Sequence, residues 1–545
     1  MFQKLMRLYH TVKPLRFVQI YYRLVYRYFP LRRLATNKRN SSSLSWLWSG
    51  PEVIQPSVFG KTTVSFLNVK AVIKLKESWN DKAYEKLWLY NLHYFDDLNA
   101  IDSLARKLNQ YGLVKRWIEE NPPVSGNGWE PYPVSLRLIN WIKWYHRAGI
   151  NDQVIVDSIA LQSKALTKQL EYHILGNHLF ANAKALVFSG CFLEGAESVK
   201  CLNLGLKLLD SEIPEQFLED GGHFELSPMY HCILLWDLLD LINLAKISGE
   251  KKLLSRLMMW QEYANKALTW LEVMTHSDSE ISFFNDATIG IAASPMQIHH
   301  YAASLGLSSA SNNAKLQTLQ ETGYSRINFP FYYLILDHGE VGPGYLPGHA
   351  HADTLSFELS IGDNRVFVNS GTSLYGLSIE RQRQRGTAAH NTVVVESENS
   401  SEVWGGFRVA KRARVSNVKS IISDDNIVIA AQHDGYRRLK GEVVHTRECH
   451  ATPTEIKIID RMSVRVNAVA YYHVHPDITL KRVAENSFRL TTRTGDFLTI
   501  STCGKIEIED ATWHPGFGIS VPNKRLSIPL SSNKLDVNLV IHKVN

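Results

Sequence analysis

The chain changes texture once, near residue 320, and that switch limits what it can fold into more than any other feature. From about Glu77 to Ser309, apolar residues recur at helical spacing, as with Leu136, Ile139, Trp141, Ile142 and Tyr145 after Pro131-Tyr-Pro133. The same spacing predicts helices over residues 154–175, 177–189, 196–209, 228–247 and 252–274, parted by short breaks. Past about Thr322, short strand-like runs take over, at 331–336, 355–361, 365–368, 392–395, 427–431, 456–459 and 537–541. Turn residues such as Gly362-Asp363-Asn364 punctuate them. Helices followed by strands describe an α+β chain of two domains, and 545 residues exceed what one core normally serves. The expected layout is a basic amphipathic segment over 1–45, stacked antiparallel helix pairs closing toward a toroid over 46–320, and antiparallel sheets over 321–545. The seam is expected near residues 309–325, where the stretch 308–313 is small and polar.

Composition narrows the partners. A hydrophobic content of 45% with 21% charged residues is ordinary for a globular protein. A net charge of +7 favours an acidic partner without identifying one. No zinc finger, RNA-binding signature or basic block points to nucleic acid. The five cysteines are scattered and form neither a disulfide framework nor a C-x-x-C pair, which suits a reducing compartment. With no secretory pattern, and no run near the about 20 apolar residues of a spanning helix, the expected location is cytoplasmic, peripheral to the inner face of a membrane. Residues 1–40 contain no Asp or Glu, but Lys4, Arg7, Lys13, Arg16, Arg23, Arg27, Arg32, Arg33, Lys38 and Arg39. Phe17, Ile20, Tyr21, Leu24, Val25 and Tyr28 recur there at helical spacing. Such a helix could lie on an anionic membrane, but docking against the protein or a partner is the favoured reading.

Three clusters carry candidate chemistry. In Gly348-His-Ala-His-Ala-Asp-Thr-Leu-Ser-Phe-Glu-Leu359, alternation puts His349, His351 and Asp353 on one strand face with Leu355, Phe357 and Leu359. An imidazole there can be a base or a metal ligand; incidental histidines on a surface strand are the plain alternative. Asn177 and His178 sit at the start of a helix, where free N–H groups suit an anion, although spacing alone favours Asn177 as a simple cap. In Asp220-Gly-Gly-His-Phe-Glu-Leu-Ser-Pro-Met-Tyr-His231, Ser227 and Pro228 open a helix with Tyr230 in its first turn. Sequence alone favours a buried aromatic at Tyr230. Glu130, Glu225 and Asp286 are the carboxylates that a paired-acid glycosidase would need.

Together Gly176-Asn-His-Leu179, Glu225-Leu-Ser-Pro-Met-Tyr230, Gly348-His-Ala-His-Ala-Asp353, Val368-Asn-Ser-Gly-Thr372 with Tyr375, and Ala389-His-Asn-Thr-Val393 resemble the heparinase II/III-like polysaccharide lyases. The resemblance implies an incomplete (α/α) toroid followed by β-sandwich-like antiparallel sheets, with a cleft between them. It also implies β-elimination on an acidic, uronate-containing polysaccharide. Asn177 and His178 would hold the uronate carboxylate, His349 or Tyr230 would take the C5 proton, and Tyr230 would protonate the leaving oxygen. Glu225, Tyr375, Arg381 and Arg385 are the candidate substrate-binding groups, a solvated loop being the alternative for the arginines. His351, Asn369 and His390 match a structural zinc site in which relatives carry an aspartate instead of Asn369. A neutral amide is the poorer ligand, so zinc binding stays open, with Asp353 a candidate substitute. Two other functions remain: a glycoside hydrolase using a carboxylate pair, and a non-catalytic polysaccharide-binding or assembly protein. The expected setting is synthesis or turnover of a cell-surface polysaccharide.

Overall fold

The computed structural model describes every residue except 1, 35–39, 44, 311–312 and 544–545. Lys38 and Arg39 of the basic run, and residues 311–312 of the expected seam, therefore lie outside the described residues. Two short helices come first, α1 (Phe2–Val12) and α2 (Phe17–Tyr28). The toroid follows, its principal helices being Pro131–Arg147, Gln153–Leu166, Gly176–Phe192, Gly195–Gln216, Pro228–Ser248 and Leu257–Val273. Large aromatic side chains fill its centre, with Trp79, Trp117, Trp141, Trp144 and Trp260 all fully buried. Burying such rings is among the largest apolar contributions a core receives.

A small three-stranded antiparallel sheet (Val58–Phe59, Thr63–Phe66, Val69–Val72) precedes the toroid helices, and the strands from Leu316 onward build two large antiparallel sheets. The nine-stranded sheet contains Tyr324–Phe329, Tyr332–Asp337, Phe357–Ile361, Asn364–Phe367, Ala468–Val474 and Val521–Pro529. The eight-stranded sheet packs on it through one continuous core that includes Phe357, Leu359, Tyr472, Ile458, Leu498 and Leu539. Gly362 (φ 52) closes the hairpin at the turn expected there. This is the α-toroid-plus-sheets architecture expected from the order of the elements.

Four expectations need correction. The helix from Gln153 ends at Leu166, not at 175, and leaves a turn that leads into the site. The stretch read as one helix over 252–274 is two, Lys251–Leu254 and Leu257–Val273. The strand after Gly348 is only Phe357–Ile361, and both of its faces are buried. Leu355 takes a left-handed conformation (φ 63) that breaks the alternation, so His349, His351 and Asp353 do not share a strand face with Leu359. Finally, Asn177 is not the cap of its helix: Leu175 (φ 71) holds that place, and Asn177 lies in the first turn.

α2 docks, as the favoured reading had it. Tyr26 Oη donates to the Leu170 carbonyl (2.5 Å), and Tyr22 packs on Tyr172 at 4.7 Å between ring centres. Gln19 Nε2 reaches the carbonyls of Ile174 in the toroid (3.4 Å) and of Tyr345 in the sheet domain (3.3 Å). Arg16 pairs with Glu215 and lies over the Tyr345 ring at 3.7 Å. From α1, Thr11 accepts a hydrogen bond from Trp404 Nε1 (3.0 Å). The N-terminal helices thus tie toroid and sheets together. Among the described residues no helix is long and apolar enough to cross a membrane.

Candidate active site

The histidine segment is held by chain from the toroid half, not by a strand ladder. Asp286 N donates to the His349 carbonyl (3.0 Å), Asn285 Oδ1 accepts from His351 N (3.0 Å), and Asn285 N donates to Asp353 Oδ2 (3.0 Å). Ser227 caps the Pro228–Ser248 helix by accepting from Tyr230 N (3.2 Å), while its own hydroxyl donates to the Asp286 carbonyl (2.5 Å). Tyr230 is thereby fixed relative to the same short segment. Leu175, Leu226, Asn285 and Leu355 all have positive φ and flank these residues. Left-handed backbone at non-glycine residues is stored strain that surrounding contacts must sustain, and it concentrates at functional sites.

At the centre is the Asp286 carboxylate, fully buried. It accepts from His349 Nδ1 (2.9 Å), His351 Nε2 (2.8 Å), Thr372 Oγ1 (3.1 Å) and both terminal nitrogens of Arg381 (Nη2 at 2.6 Å). Burial alone would raise its pKa, but the Arg381 charge and these donors hold it well below the usual range. Because an ionised Asp286 accepts from Nδ1, the proton of neutral His349 sits there and Nε2 carries the free lone pair. Burial also lowers the His349 pKa, against the pull of Asp286, so the imidazole is neutral at pH 7.

The Tyr230 ring stacks on His349 at 3.9 Å and an interplanar angle of 30°. Its hydroxyl lies 3.0 Å from that of Tyr375, and burial keeps both phenols protonated. The close stacking leaves no space for a sugar between the rings, so a ring must approach their polar edge. Access is narrow: Tyr230 is 8% exposed, Asn177 6%, and the His349 side chain 12%. Glu225 Oε2 lies 3.8 Å from His349 Nε2. The Asn177 backbone amide points toward this carboxyl, yet neither Glu225 oxygen has a hydrogen-bond partner of good geometry. Burial, reinforced by Asp286, pushes the Glu225 pKa up to about 8, so at pH 7 it is a neutral acid. The Asn177 side chain engages Tyr132, which spacing did not single out. His178 Nδ1 bonds Glu171 (2.9 Å), and its ring lies 4.3 Å from that of Tyr132, the side chain 24% exposed. Asn177, Tyr230 and His349 therefore converge on one place.

Two arginine expectations fail. Arg381 and Arg385 are fully buried and do not line a sugar subsite. They lie on the inward side of a short helix, Ile379–Arg385. Arg381 neutralises Asp286, and Arg385 donates to main-chain carbonyls, that of Ala350 at 2.9 Å among them. Asn369 also fails as a ligand. Its Oδ1 accepts from Asn391 N (3.2 Å) and its Nδ2 reaches Ser356 Oγ (3.5 Å), so the amide serves the backbone. Among the described residues, the cluster able to hold a metal is instead His351, Asp353 and His390, buried, with ligand atoms within 4.8 Å of one another. His351 Nδ1 and His390 Nε2 are 3.3 Å apart, and Nδ1 of His390 has no partner. Two imidazoles and a carboxylate suit a zinc ion.

This geometry agrees with what comparison with known proteins shows. The family model for the heparinase II/III N-terminus matches residues 76–308, and that for the heparinase II/III-like C-terminal region matches 312–539. The chain belongs to the heparinase II/III-like family. A heparin-sulfate lyase of Bacteroides stercoris is 23% identical over 386 residues, 59% of this chain and 55% of that protein. A second, from Bacteroides thetaiotaomicron, is 28% identical over 195 residues, 32% of this chain and 27% of that one. The chain thus spans about half, or less, of the curated relatives it matches. In fold, this heparinase II/III-like chain is similar to the crystal structure of heparinase III (TM-score 0.68, 17% identity, 86% of this chain and 79% of that one). It is also similar to a heparan sulfate lyase from Pedobacter heparinus (TM-score 0.58, 16% identity, 87% and 80%).

Removing the charge at the hub tests its weight. Asp286→Asn leaves the buried Arg381 uncompensated, and loss of one partner of a buried pair costs about 3–5 kcal/mol. Chemical denaturation should show a loss of that size, and an unchanged midpoint would contradict the arrangement.

Proposed function

We propose that this protein is a polysaccharide lyase that cleaves a uronate-containing acidic polysaccharide by β-elimination. The observation that carries this reading is the contact of a protonated phenol, Tyr230, with a neutral imidazole, His349, beside an uncharged buried acid. Elimination needs those groups. The proton on C5 must leave to a base, and the lone pair on Nε2 of the neutral His349 serves. As the C5–H bond breaks, its electron pair forms the C4–C5 double bond and expels the glycosidic oxygen. That oxygen takes a proton from the Tyr230 hydroxyl. Negative charge grows on the uronate carboxyl meanwhile, and donors already in place there are often the largest catalytic contribution. Asn177 and the protonated Glu225 supply such donors, and a neutral Glu225 adds no repulsion.

Among Glu130, Glu225 and Asp286, the carboxylates that the sequence singled out, the hydrolase alternative finds no acid pair. Asp286 is sealed and fully bonded, and Glu130 is bound to Tyr90 and Lys86. That leaves Glu225 without a partner carboxylate.

Zinc held by His351, Asp353 and His390 would contribute structure and not a reacting group. It would fix the imidazole of His351 and, through its hydrogen bond, Asp286. Metal analysis of chelator-treated and then zinc-equilibrated protein should return close to one ion per chain, and a value near zero rejects the site.

Two measurements test the elimination. Tyr230→Phe and His349→Ala should each lower kcat by about 10²–10⁴-fold, read as loss of unsaturated product absorbing in the near ultraviolet. Undiminished turnover in both, with the fold intact, would refute the assignment. The pH profile tests Glu225. Its raised pKa means the active neutral form is present below about pH 8 and lost above it, so kcat/KM should decline on the alkaline side. Glu225→Gln, which stays neutral, should remove that decline. The lowered His349 pKa should place the acid limb below the ordinary imidazole range.

A further inference from the structure

α1 and α2 carry the same apolar pattern: Leu5, Leu8, Tyr9 and Val12 in the first, Phe17, Ile20, Tyr21 and Leu24 in the second. At 100° per residue each set forms one stripe, and Tyr28 extends the second. All of these side chains are exposed, from 39% at Ile20 to 79% at Phe17. Docking does not account for them. The face of α2 that meets the protein is a different one, made by Gln19, Tyr22 and Tyr26. Arg16, Arg23 and Arg27 border the stripe, and Lys4, Arg7 and Lys13 are likewise exposed on or beside α1. No acidic residue occurs among residues 1–40, and of these cations Arg16 is paired with Glu215 of the toroid.

An apolar stripe edged by cations, on helices too short and too charged to span a bilayer, has the composition of an element that lies in a lipid interface. Its charge disfavours a second copy, since two such faces repel. We propose that the outer face of α1 and α2 binds an anionic lipid bilayer. The inner face stays docked while it does so. α2 touches Ile174, three residues before Asn177, and Tyr345, four before His349. Lipid binding would therefore hold the segments that lead to Asn177 and His349 near the headgroups. This inference does not depend on which reaction the site performs.

The full chain should be sedimented with vesicles of phosphatidylcholine alone and with vesicles enriched in phosphatidylglycerol. The bound fraction should be at least about tenfold higher on the anionic vesicles and should fall as salt rises. In Phe17→Glu/Leu24→Glu, whose altered side chains face away from every docking contact named above, it should drop to the level of neutral vesicles with the melting midpoint kept. Should that variant misfold, Lys4→Glu/Arg27→Glu should give the same drop. Equal partitioning onto both vesicle types overturns the proposal, as does anionic binding that survives both variants. A dimer that depends on the stripe, without vesicle binding, assigns the face to a second copy and overturns it too.

Discussion

A carboxylate cut off from water persists only where donors and a counter-charge replace its hydration, and Asp286 is such a group. Arg381 supplies the charge, and His349, His351 and Thr372 supply the remaining bonds. Everything chemical in the site depends on this arrangement. It selects the tautomer that leaves a lone pair on His349 Nε2, and it adds to the burial that keeps a proton on Glu225. One buried negative charge thus fixes the tautomer of the His349 imidazole and reinforces the protonation of the Glu225 carboxyl.

The same residue is structural. The main chain at 285–286 holds the His349–Asp353 segment and accepts the hydroxyl of Ser227, the cap of the Tyr230 helix. His349, Tyr230 and Asp286 are therefore located by three hydrogen-bonded turns, not by the rigid interior of a helix or sheet. Positive φ at Leu175, Leu226, Asn285 and Leu355 shows the conformational cost of bringing such turns together. The two large cores on either side sustain it.

Much of this was legible in the sequence. The exchange of helical for strand periodicity set the architecture, because burial of one face imposes its period on a chain. Ser227 before Pro228 announced the helix that carries Tyr230, and the motif order brought Asn177, Tyr230 and His349 together. What spacing could not convey was local backbone geometry and long-range pairing. A leucine at 355 gives no sign of a left-handed turn, so alternation carried the strand too far. Arg381 and Arg385 resemble a surface basic run, and only the fold reveals that a buried aspartate and bare carbonyls claim them. Asp286 was visible as a carboxylate, but its identity as the hub required knowing that His349, His351, Thr372 and Arg381 meet there. For the cluster that could hold a metal, the carboxylate beside His351 and His390 is Asp353, while the Asn369 amide that motif matching suggested first is bonded to the Asn391 backbone.

The main-chain link between 285–286 and 349–353 joins the two halves of the molecule, so proton location on His349 is a function of their contact. Were toroid and sheets to part, the imidazole would lose the acceptor that fixes its Nδ1 proton and would gain water. Its ring resonances would then shift toward those of a solvated side chain. One nucleus on one residue therefore serves as a gauge of interdomain closure, readable without any substrate present.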